Sequence, residues 1–104
     1  MFKIKANPTF VATAKIPAAG GDILELKWVF KHRTRKQLEA FLQEAAKAEM
    51  SDVDGILGMV EGWEEVDTAF SREAVEELLD QYHDVVRPTM DAYLQGINGA
   101  KQGN

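Results

Sequence analysis

The chain has 104 residues, 45% of them apolar, a formal net charge of -5 and no cysteine. That length supports one domain with a core of its own, and the lack of cysteine excludes disulfides, thiolate metal sites and a cysteine nucleophile. No apolar run of about eighteen residues is present, and the opening Met1-Phe2-Lys3-Ile4-Lys5-Ala6-Asn7-Pro8 lacks the apolar core of a signal peptide, so a cytosolic protein is expected.

From Thr9 to Ile16 the residues alternate, with Phe10, Ala12, Ala14 and Ile16 on one face, before Pro17 and a turn at Ala18-Ala19-Gly20-Gly21-Asp22. The period of two resumes with Leu24, Leu26, Trp28 and Phe30, which predicts an antiparallel hairpin over about 9–31 with one face to bury. A lone hairpin is marginal, so a helical cover is expected. Thr34-Arg35-Lys36-Gln37 fits a capping box, and Leu38, Phe41, Leu42 and Ala45 follow at helical spacing. Ser51-Asp52-Val53-Asp54 reads as a second helix start, with Ile56, Leu57 and Val60 as a stripe ending at Gly62, weakened by Gly55 and Gly58.

Trp63 and Phe70 then stand in an acidic segment that reads as irregular, where large hydrophobes anchor the chain to a core or a partner. Ser71 caps a third helix bearing Val75, Leu78, Leu79 and Tyr82, and Asp84 is expected to cap a fourth from near Val85, with Pro88 in its first turn. Met90, Tyr93, Leu94 and Ile97 carry on that stripe until Gly96, Asn98 and Gly99 loosen it. The fold expected is therefore α+β: one domain spanning 1–104, a hairpin followed by about four helices over 34–98, and a frayed tail at 99–104.

Charge is unevenly divided. Residues 1–50 carry nine Lys/Arg against five Asp/Glu (+4), and 51–104 three against twelve (-9), which together give -5. Such polarity favours head-to-tail contact between copies, with neutralisation inside one copy as the alternative. Lys31-His32-Arg33-Thr34-Arg35-Lys36 places cations at a helix start, against the dipole, so a compensating group is expected. Phosphate and an acidic protein surface such as that at 61–67 are the two candidates, and a solvated basic patch with no partner is the third reading. No catalytic group, cofactor or metal is expected. His32 and His83 lack a partner at ligand spacing, the carboxylates have no apolar pocket, and Gly20-Gly21 lies in a hairpin turn rather than a phosphate loop.

The run Gly62-Trp63-Glu64-Glu65-Val66-Asp67, then Phe70-Ser71-Arg72-Glu73-Ala74-Val75-Glu76-Glu77-Leu78-Leu79, Tyr82, Pro88 and Ala92-Tyr93, resembles the tail assembly chaperone family of long-tailed bacteriophages. The leading hairpin and Phe30-Lys31-His32-Arg33-Thr34 are similar too. The resemblance implies a non-enzymatic protein in the cytoplasm of the bacterial host, absent from the mature virion. It would self-associate into spirals with a frameshifted longer form, coat the tape measure protein and keep it soluble, and leave when tail-tube protein polymerises. Lys101 lies near the slip region that the resemblance implies.

The interaction residues expected are Lys31, Arg33, Arg35 and Lys36 against Glu61, Glu64, Glu65 and Asp67 of a neighbouring copy, with Trp63 and Phe70 as anchors. For Trp63, anchoring within its own subunit is an open alternative. The competing reading is a small phage or plasmid DNA-binding regulator that uses residues 31–36 on phosphate.

Overall fold

In the computed structural model, which describes residues 1–99, the two alternating runs pair antiparallel as β1 (Thr9–Pro17) and β2 (Ile23–Lys31), in register from Thr9↔Lys31 to Pro17↔Ile23. Gly20 and Gly21 turn the chain at φ 96° and 105°, in the left-handed region that a Cβ disfavours. The chain continues through α1 (Arg35–Lys47), α2 (Asp52–Met59), β3 (Val60–Glu64), α3 (Arg72–Gln81) and α4 (Val86–Ile97). The class is α+β, and the sheet has the order β1-β2-β3.

The third strand corrects the expected irregular segment. Five residues containing two glutamates and a glycine carry little strand signal of their own. They become a strand because β2 presents an unpaired edge and because Trp63 lies opposite Trp28. α2 accordingly ends at Met59 rather than Gly62, where Val60 turns to extended backbone. Between Val29 and Phe30 the register shifts, which leaves Glu61 as the extra residue of a bulge.

Three expected caps form. Thr34 and Gln37 close a reciprocal capping box, Ser51 accepts from the Asp54 amide, and Ser71 from the Ala74 amide. The fourth does not. Val85 stands at the start of α4 without a side-chain cap, and Asp84 instead accepts from Arg87 at 2.6 Å. Pro88, third in the helix, has no amide for a cap to satisfy.

The cover of the sheet is helical, but it is α4 rather than α1 that lies along β1. Gly96 makes this approach possible: a Cβ there would stand 2.6 Å from the Phe10 ring. Its lack of a side chain thus seats the helix rather than loosening it. Trp28, buried at the centre, donates to Thr89 Oγ1 at 3.0 Å and ties the sheet to α4. Phe10, Phe30 and Tyr93 stack beside it, with centroids 5.2–6.0 Å apart. α1 has no fully buried residue, and it is fastened where Phe41 packs over Gly58. Of the expected tail, residues 100–104 lie outside the described residues.

Candidate interaction surface

The basic cluster is divided by its partners. Lys31 ends β2 and donates to the Leu57 carbonyl at 3.0 Å, in the last turn of α2, where a cation suits the helix dipole. Arg33 donates to the Tyr93 hydroxyl at 3.0 Å and covers the Phe41 ring at 3.8 Å. That hydroxyl donates onward to the Lys31 carbonyl at 2.9 Å. Two of the four cations are thus tied within their own subunit, and Arg35 and Lys36 remain exposed on the first turn of α1.

Trp63 faces inward from β3. Its ring lies 5.7 Å from that of Trp28 and meets the Phe70 ring edge-on at 5.2 Å, while its indole N–H donates to the Thr68 carbonyl at 2.8 Å. These contacts hold the 65–70 loop against the sheet. Glu65, just past the strand at φ 58°, forms an ion pair with Lys27, which raises the lysine's pKa, chiefly through that hydrogen bond. Glu61, Glu64 and Asp67 are exposed, and Asp67 accepts from the Thr68 hydroxyl. The acidic members therefore follow β3 from Glu61, beside Phe30 near the cation end of β2, to Glu64 opposite Lys27 and on to Glu65 and Asp67 at the groove.

A groove of about 570 Å³ opens where the helical layer stops short of the hairpin tip. Ile16, Leu24 and Leu26 form its floor, Trp63 and Val66 one wall, and Ala74, Leu78 and Tyr82 of α3 the other. Glu25, Glu65, Asp67 and Glu77 stand on its rim, and no Lys or Arg lines it. Leu24 is 45% exposed although Ile16, its partner across the hairpin, is buried, so the cover stops between the two strands. The alternation of β2 marked Leu24 and Leu26 as inward-facing, but nothing in it showed that the helices end before reaching them.

The sequence model of a family described as phage tail assembly chaperone matches residues 1–104, the whole chain. The chain belongs to this family. No curated protein and no solved structure matches it. Tail assembly, rather than gene regulation, is therefore the setting for the chaperone's surface. Among the described residues no helix is long and apolar enough to cross a membrane, and no three His, Asp or Glu side chains are grouped to hold a metal ion.

Proposed function

We propose that this chaperone self-associates head to tail in the host cytoplasm, binds the tape measure protein and keeps it soluble until tail-tube protein polymerises around it, without catalysis and without entering the mature virion. The observation that carries the reading is the whole-chain family match. The surface supports it: an apolar groove with an acidic rim stands at one end of the hairpin, and exposed cations at the other. Exposed apolar stripes on a long unassembled helix aggregate, and many weak repeated contacts cover them while remaining displaceable. In this reading Arg35 and Lys36 supply the outward cations, and Glu61, Glu64, Glu65 and Asp67 their acidic counterpart on a neighbour. Arg33, over the Phe41 ring, fixes the helix that presents them, and Lys31 ties the end of β2 to α2. A frameshifted longer form would share the contacts of the short one.

The test is co-expression with the tape measure protein encoded in the same genome. Soluble tape measure protein that co-purifies with the chaperone, and precipitates without it, is expected. An insoluble tape measure protein and a free chaperone, with the longer form also supplied, would overturn the reading.

A further inference from the structure

The leading arm, residues 1–7, exposes the most apolar surface of any segment described. Phe2 is 89% and Ile4 92% exposed, and they alternate with Lys3 and Lys5. Extended, the arm presents one apolar and one cationic side. Nothing in its own subunit covers those side chains. The groove at the hairpin tip is their complement, with an apolar floor below a rim of carboxylates.

We infer that the groove at the hairpin tip receives the arm of a second copy, with Phe2 and Ile4 on the Leu24–Leu26 floor and Lys3 and Lys5 toward Glu77 and Asp67. The inference rests on the self-association reading above and gives it a contact. Length keeps the arm of the same copy from laying both Phe2 and Ile4 on that floor. It departs beside Thr9, paired with Lys31, whereas the floor runs from Leu26, paired with Ala14, out to Leu24, paired with Ile16, seven residues along β1 from Thr9. Those seven residues of β1 span about 23 Å at roughly 3.3 Å each. A returning arm would exhaust itself bringing Phe2 level with Ile16 and leave no residues for the turn. Donor and acceptor thus lie at opposite ends of one subunit, so the contact is heterologous and repeats from copy to copy.

The experiment uses the full chain and a synthetic peptide of residues 1–8. Sedimentation velocity across a concentration series at low salt reads the assembly. Phe2→Asp with Ile4→Asp should weaken it about tenfold or more and leave the melting temperature unchanged, because both side chains stand in solvent. Glu77→Lys on the exposed rim should weaken it too, and adding Lys3→Glu should restore it. The peptide should shift the fluorescence of Trp63 in the groove wall, and a Lys3→Glu, Lys5→Glu peptide should shift it less. Assembly that survives the arm substitutions, or a peptide that leaves Trp63 unchanged, overturns the arm contact while self-association stands on another surface. Tape measure protein shifting Trp63 while the arm variant assembles normally would assign the groove to that partner instead. A wild-type chain that stays monomeric across the series overturns self-association and the arm contact together.

Discussion

Gly96 and Trp63 show how a single side chain, present or absent, positions a larger part. In a helix interior Gly→Ala ordinarily gains about 1 kcal/mol, but a Cβ at Gly96 would press on a Phe10 ring held by Phe30 and Tyr93. Gly96→Ala should therefore lower stability, by about 1–2 kcal/mol as for other overpacked sites, read from urea unfolding. Unchanged or increased stability would show that the ring yields. Trp63→Ala removes two aromatic contacts and the hydrogen bond that holds the 65–70 loop. For a half-buried aromatic a loss of about 2–3 kcal/mol is expected, measured at high salt so that only the monomer is probed. A variant that melts normally but fails to assemble would move Trp63 to the interface. The anchoring roles of Trp63 and Phe70 were legible as hydrophobes in polar sequence; Gly96 was not, because a close approach involves a partner some 80 residues away.

At the scale of elements, α2 and α3 are joined by an exposed clasp. Arg72 donates to Asp54 at 3.0 Å, and that hydrogen bond, followed by the one with Ser51, holds the carboxyl below its ordinary 3.8. A carboxyl lowered in the folded state adds stability above its unfolded pKa and loses it as pH falls through the folded value. Asp54→Asn should thus melt lower than the wild type near pH 7, with the difference closing below about pH 3.8. A gap that stayed constant with pH would assign the effect to the helix cap instead. The helices were readable because caps and period are local: Thr34, Ser51 and Ser71 each act on an amide three residues on. β3 was not, because its strand conformation comes from the edge of β2, thirty or more residues earlier in the chain. α1 was found in place, but which helix covers the sheet was not legible, since amphipathicity marks an apolar face without saying how deeply it packs.

For the whole molecule, the charge polarity predicts salt-dependent assembly. Screening lengths shrink from about 10 Å at 0.1 M to about 3 Å at 1 M salt. The weight-average sedimentation coefficient at fixed concentration should fall across that range, and a mass indifferent to salt would count against contact between opposite charges. Sequence by itself determined the hairpin, four helices, the three caps that form, the opposed charges of the two halves and the family resemblance, because each is carried by neighbours in the chain or by summed composition. Only the tertiary structure decided which helix covers the sheet, that Lys31 and Arg33 are engaged at home while Arg35 and Lys36 face out, and that Leu24 and Leu26 floor an open groove. Those outcomes depend on where one element ends against another, and a periodic pattern records which face of an element is apolar but not how far its neighbour extends.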